Sequence, residues 1–139
     1  MTKHTCDPYL SDRLCIMRLY REYNEHGSLI IAVDFDDTIY DFHGKGYVYP
    51  EVIEMLHKAS IWNMKIVIYT ANQDYEKIEK HCKENGIKIE GINVQLLTQF
   101  ENSGKLYYNI LLDDRAGLKT AVYQLNEVIK LLEEDLNEN

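Results

Sequence analysis

Five acidic side chains fall in two short runs far apart along the chain, Asp34-Phe35-Asp36-Asp37-Thr38 and Asp113-Asp114. Each run directly follows an apolar stretch, Leu29-Ile30-Ile31-Ala32-Val33 for the first and Ile110-Leu111-Leu112 for the second. A further polar group, Thr70-Ala71-Asn72, follows Lys65-Ile66-Val67-Ile68-Tyr69 in the same way. Along an extended chain residues i and i+2 share a face, so Asp34 and Asp36 can point together before the chain turns. Two carboxylates about 4 Å apart repel by about 4 kcal/mol at an effective dielectric of about 20. Acids arriving from a second strand add to that repulsion. Such a cluster needs a cation or shared protons. Oxygen ligands favour Mg²⁺ over zinc, and no set of His and Cys ligands competes.

The apolar runs are continuous rather than alternating, as in parallel strands buried on both faces. Ahead of the first, Asp7-Pro8 reads as an N-cap with proline at the first helical position, and Gly27 suits the helix end. Leu10, Leu14, Met17 and Arg21 form one stripe of that helix, which Ile16, Tyr20 and Tyr23 widen. Pro50 to Trp62 has helical spacing in Val52, Met55, Leu56 and Ile61, with Trp62 expected in the core. Asp74 to Asn85 reads as a polar amphipathic helix with Gly86 at its C′ position. Ile87 to Leu97 should hold a short third strand, and Asn109 precedes the fourth. The last segment spaces Leu118, Val122, Leu125, Ile129, Leu132 and Leu136 at intervals of four and three. Core packing is the expected use of that seam, and a homodimer contact from its overhanging end is the sharper alternative. Strands alternating with helices imply one Rossmann-like α/β domain over residues 1–139, a mostly parallel sheet flanked by helices. Residues 1–28 form an N-terminal helical extension and 127–139 an acidic helix end. In open α/β sheets ligands gather at the carboxyl ends of the strands, where the acids lie.

A chain of 139 residues with 45% hydrophobic and 27% charged side chains can bury a globular core. It has no apolar run of about 18 residues, so no membrane-spanning helix is expected. Its N-terminus is polar and lacks the apolar stretch of a secretory signal. Cys6, Cys15 and Cys82 are scattered, which suits reduced thiols in the cytoplasm. The net charge of −8 is concentrated in the C-terminal end and in the five site aspartates, leaving the remaining surface close to neutral. No basic stripe advertises an extended nucleic-acid surface.

The order D-x-D-x-T at Asp34 to Thr38, then strand-ending Thr70, then Lys105, then Asp113-Asp114 resembles the four-motif signature of haloacid dehalogenase-like (HAD) phosphatases. The segment from Lys105 to Ala116 is also similar to that stretch in small HAD proteins. The resemblance implies a Mg²⁺-dependent phosphomonoester hydrolase in which Asp34 attacks phosphorus and becomes an aspartyl-phosphate. Asp36 would protonate the departing oxygen and then activate water, Thr70 would hydrogen-bond a phosphoryl oxygen, and Lys105 would neutralise charge. Lys119 is the other lysine near the fourth strand. Mg²⁺ would be held by Asp34, the Asp36 carbonyl and Asp113, with Asp114 close by. Relatives often carry Gly where Asp37 stands. Asn72, the flap residues His43 and Lys45 with Tyr47, and Arg115 are candidates for touching substrate. Only 31 residues separate Thr38 from Thr70, so no cap domain fits and the site should be open. A nucleotide, an oligonucleotide end, a sugar phosphate or a phosphoprotein could then be the substrate.

Simpler uses compete for several of these residues. Acids after a strand can merely form a turn, His43, Lys45 and Tyr47 can lie in an exposed loop, and Arg115 can form a helix-start salt bridge. An EF-hand is excluded because its glycine and terminal glutamate would fall at Ile39 and Lys45. Gly44-Lys45-Gly46 lacks the spacing of a P-loop. His4 with Cys6, and His81 with Cys82, are too sparse for a metal site. A non-enzymatic HAD-fold module that binds Mg²⁺ or a partner is the competing class. A receiver-like phosphoacceptor is a variant of it, although there the acidic pair ends the first strand and the phosphoacceptor the third.

Overall fold

A computed structural model of the chain describes residue 5 and residues 7–138. The His4 and Cys6 pair considered above therefore lies outside the described residues. The elements run α1 (Asp12–His26), β1 (Ile30–Val33), α2 (Pro50–Ile61), β2 (Lys65–Ile68), α3 (Tyr75–Glu84), β3 (Gly91–Ile92), β4 (Ile110–Leu112) and α4 (Leu118–Glu138). Short 3-10 turns occupy Pro8–Leu10 and Thr98–Phe100. All four strands are parallel, in the spatial order β3-β2-β1-β4. This is the expected single Rossmann-like α/β domain, a sheet flanked by helices. No helix among the described residues is long and apolar enough to cross a membrane.

Every residue of β1 is buried, as its unbroken Ile-Ile-Ala-Val sequence requires of a central parallel strand. The register pairs Val33 with both Ile68 and Leu112, so the carboxyl ends of β1, β2 and β4 finish level. At the other end, buried Asn109 fixes β4 to β1. Its side-chain carbonyl accepts from the Ile30 N–H at 2.6 Å and its own N–H donates to the Ile30 carbonyl at 2.8 Å. The Asn109 amide also donates to Glu22 in α1 at 2.9 Å, and Arg18 donates to the Asn109 carbonyl at 3.1 Å. One polar residue thus sets the height of a strand and ties the first helix to it.

The N-terminal helix departs from its predicted form. Asp7-Pro8 opens the 3-10 turn instead, and α1 begins after Ser11, whose hydroxyl accepts from the Leu14 N–H at 3.3 Å. Gly27 does end it, in the left-handed conformation at φ 70°. The predicted stripe is the outer one: Leu10, Leu14 and Met17 are exposed, while Ile16 and Leu19 enter the core with Tyr20 and Tyr23 against it. Tyr20 hydrogen-bonds Asp135 of α4, and Gln124 of α4 donates to Asp12 at 2.9 Å. The extension is therefore an integral layer packed on α4. In α2, Val52, Met55 and Leu56 are buried as expected, but Ile61 points out, and Trp62 packs against the core only partly buried. Of the seam along α4, Leu125, Ile129 and Leu132 are spent on the core, Leu118 and Val122 pack against it, and Leu136 at the far end is exposed.

Candidate active site

Asp34 follows the last residue of β1 and is anchored there because its N–H donates to the Leu112 carbonyl at 2.8 Å. Beyond it the chain turns tightly: the Thr38, Ile39 and Tyr40 N–H groups all donate to the Phe35 carbonyl. Phe35 is fully buried and stacks on Tyr40, with centroids 4.9 Å apart. That packed turn carries Asp36 and Asp37 into the space beyond the sheet. Asp37 sits at φ 62°, the left-handed region that glycine occupies without strain. β4 delivers Asp113 and Asp114 from the neighbouring strand end, and the Arg115 N–H donates to the Asp113 carboxylate at 2.9 Å.

Asp34, Asp113 and Asp114 each present a carboxylate oxygen, and the three oxygens lie within 4.8 Å of one another. Thr38, fully buried, ties the two runs together. Its hydroxyl lies 3.3 Å from Asp34 and 3.2 Å from Asp114, and it accepts from the Asp114 N–H at 3.0 Å. Burial foremost, then the hydrogen bond from Asp114 and the negative charges of Asp113 and Asp114, push the Asp34 carboxyl up to about 7, against the opposing pull of Thr38. Three oxygen donors that resist sharing negative charge, with no nitrogen or sulfur among them, suit a hard divalent cation such as Mg²⁺. Such a cation would offset the repulsion that adds to burial in raising the Asp34 pKa.

Asp36 stands apart from that triad. It faces Asn72, whose side-chain amide donates to both carboxylate oxygens at 3.3 Å. Asn72 is itself fixed, its N–H donating to the Thr70 hydroxyl oxygen at 3.0 Å and its side-chain carbonyl accepting from the Asp74 N–H at 2.9 Å. Thr70 is held from β3: Asn93, at φ 53°, accepts from the Thr70 N–H at 2.9 Å and donates to its carbonyl at 2.8 Å. The Thr70 hydroxyl accepts within the loop, and its proton has no acceptor among the described residues.

These residues line one open cleft of about 370 Å³, formed by Asp34, Asp36, Asp37, Phe42, His43, Thr70, Ala71, Asn72, Asp113, Asp114 and Arg115. The sequence expectation for Asp34, Asp36, Thr70, Asn72, His43, Asp113, Asp114 and Arg115 thus converges on a single place. Lys105 does not join them. It is exposed beside Phe100 and Ser103 in a separate surface pocket, within a strap where Gln95 accepts from the Tyr107 N–H and donates to the Lys105 carbonyl, both at 3.1 Å. Lys119 and Lys45 do not line the cleft either, and Lys45 instead lends its N–H to Asp41 at 3.1 Å. Arg115 forms no ion pair among the described residues, so the expected helix-start salt bridge is not made. It is the one permanently charged cation among the described residues lining the cleft. His81 serves structure, its Nε2–H donating to the Ile39 carbonyl at 2.7 Å, and burial pushes its neighbour Cys82 up to about 11. Cys15 is likewise buried with a free thiol.

Sequence reasoning overlooked the contributions of Asn93 and Phe42. A signal for Asn93 existed, since a polar residue just past a short strand, of the type that tolerates positive φ, is suited to hold a neighbouring strand end. Phe42 carried only the weaker signal of an aromatic in a polar loop.

No protein-family model matches the chain, and no curated protein matches it. A solved structure does, described as that of the conserved protein coded by locus from Bacteroides thetaiotaomicron. It is 20% identical, with a TM-score of 0.58, over 78% of this chain and 92% of that one. At that identity the likeness carries the fold alone.

Proposed function

We propose that the chain is a Mg²⁺-dependent phosphomonoester hydrolase that works through an aspartyl-phosphate on Asp34, as in the HAD-like phosphatases its motifs resemble. The observation that carries this reading is the meeting of Asp34, Asp113 and Asp114 within 4.8 Å, while Asp36 stands outside the triad on its own amide support. Two kinds of work are thereby separated. Asp34 and Asp113, with the Asp36 carbonyl and Asp114 alongside, would hold Mg²⁺, which when bound supplies the positive charge that a dianionic phosphate and a carboxylate nucleophile need to approach each other.

The chain's own groups do the rest. An Asp34 oxygen forms a bond to phosphorus as the bond to the leaving oxygen breaks, and Asp36 gives that oxygen a proton. Asp36 then takes a proton from water, which attacks phosphorus, releases inorganic phosphate and restores Asp34. Thr70 donates its hydroxyl proton to a phosphoryl oxygen. With Lys105 outside the cleft, Arg115 supplies the side-chain cation, a planar donor set suited to phosphate.

The competing reading is a Mg²⁺-binding module without turnover. It is favoured by one observation, that no lysine is among the described residues lining the cleft. Hydrolysis of an aryl phosphate with and without Mg²⁺ separates the two. Asp34→Asn should lower a Mg²⁺-dependent rate by at least about 10³-fold, the scale of losing a nucleophile. A mutant within tenfold of the parent would reject Asp34 in that role.

A further inference from the structure

One wall of the cleft is an aromatic ring that the phosphate chemistry leaves unused. Phe42 lines the cleft and is 57% exposed. Its backbone is nevertheless held in place. Its N–H donates to the Tyr40 carbonyl at 2.9 Å, and Tyr40 stacks on buried Phe35. The ring meets that of His43 nearly at a right angle, with centroids 5.0 Å apart and planes at 87°. His43 in turn lies 3.3 Å from the Asp37 carboxylate. This gives a use for an acid at a left-handed position where glycine would be unstrained: a glycine could not reach His43. Asp41 stiffens the same loop by accepting from the Lys45 and Gly46 N–H groups at 3.1 and 2.6 Å, and those bonds hold its carboxyl below the usual range.

An exposed aromatic ring at the mouth of a phosphate site suits a planar ring carried by the same substrate molecule. Arg115 lines the same cleft, and a guanidinium plane also stacks on rings. The volume of about 370 Å³ is that of a small-molecule pocket. The charge argues for one phosphate rather than many. A chain of net charge −8 with a single guanidinium in the cleft offers no track for a polynucleotide backbone.

We propose that Phe42, steadied by His43 and Asp37, is a stacking wall for the base of a nucleoside monophosphate whose phosphate enters the aspartate cleft. The proposal rests on the phosphate-site reading above and narrows its substrate class. It is tested by calorimetric titration of the full chain, with Mg²⁺ present, against adenosine 5′-monophosphate and ribose 5-phosphate, for the parent, Phe42→Leu and Phe42→Trp. Kinetics on the same two compounds follow. Base–aromatic stacking amounts to about a tenfold to hundredfold gain in affinity. The parent should prefer the nucleotide by at least about tenfold on that scale, Phe42→Leu should lose most of the preference, and Phe42→Trp should keep it. Because Phe42 is exposed, neither substitution opens a cavity in the core. Equal binding of the two compounds, no binding of either, or a preference untouched in Phe42→Leu would overturn the proposal. Selective binding without hydrolysis of either compound would sink the hydrolase reading and leave the stacking wall standing. Hydrolysis of both at equal kcat/KM, unchanged in ratio by Phe42→Leu, would do the reverse.

Discussion

Thr38 shows how one hydroxyl can organise a site that carboxylates alone would push apart. It has a single proton for two acceptors, Asp34 and Asp114, while its oxygen satisfies the Asp114 backbone N–H. Thr38→Val keeps the shape and removes all three contacts. It should destabilise the protein by about 1–3 kcal/mol, the scale of leaving a buried donor unpaired, read by denaturant unfolding. A change under about 0.5 kcal/mol, the range of an inert surface substitution, would show that the hydroxyl is not what joins the two runs. At this scale the sequence was legible wherever a residue's role depends on its own strand end: Asp34, Asp36, Thr70, Asn72, Asp113 and Asp114 all follow apolar runs and all line the cleft. It was illegible where the role depends on a path through space. Lys105 stands eight residues before Asp113, but the strap between them leads it to a different pocket. Asn93 reaches Thr70 only because β3 lies beside β2.

Elements position these residues mainly through the ends of strands, and the ends are set by packing remote from the chemistry. Asn109 fixes the start of β4, four residues before Asp113, and in doing so binds α1 through Arg18 and Glu22. The N-terminal extension therefore helps fix the strand that leads into two of the five acids. Leu10, Leu14 and Met17 of the expected stripe lie on its outer face, while Ile16, Tyr20 and Tyr23, which widen that stripe, face the core. The break at Ser11 and the partner surface of α4 decide the matter, and neither is a local property. The corrected register makes a clear prediction. Leu19→Ala, in a fully buried position, should cost about 2–5 kcal/mol, whereas Leu14→Ala on the half-exposed stripe should cost less than about 1 kcal/mol, by denaturant unfolding. The reverse ranking would restore the stripe read from sequence. Strands β1, β2 and β4 needed no such correction, because a continuous apolar run of three to five residues flanked by polar ones has few other uses in an α/β chain.

For the whole molecule, a cation held at the cluster would couple proton and fold. In the metal-free protein the Asp34 pKa is raised from 3.8 to about 7. A group raised on folding contributes stability that is full below its unfolded pKa and is lost as pH rises through its folded value. Metal-free protein should therefore lose melting temperature between about pH 4 and pH 7 through this group. Mg²⁺ competes with the proton, so the rise in Tm that it produces should be larger at the higher pH. At about 100 times its Kd the cation should add about 2.7 kcal/mol. An equal or larger Mg²⁺ effect at the lower pH would mean that the cation binds somewhere other than these carboxylates. The seam along α4 is the remaining molecular-scale feature: its heptad-like spacing satisfies the core through Leu125, Ile129 and Leu132, so the spacing itself no longer argues for a second copy.

The central claim is that Asp34 bonds directly to phosphorus while Asp36 moves protons. It is tested most directly by mass spectrometry of Asp36→Asn after incubation with Mg²⁺ and an aryl phosphate. Without its proton acceptor the second step should stall, leaving one phosphoryl group localised to the peptide that carries Asp34. Protein that stays unmodified while the parent turns the same compound over, or a phosphoryl group on any other residue, would contradict it.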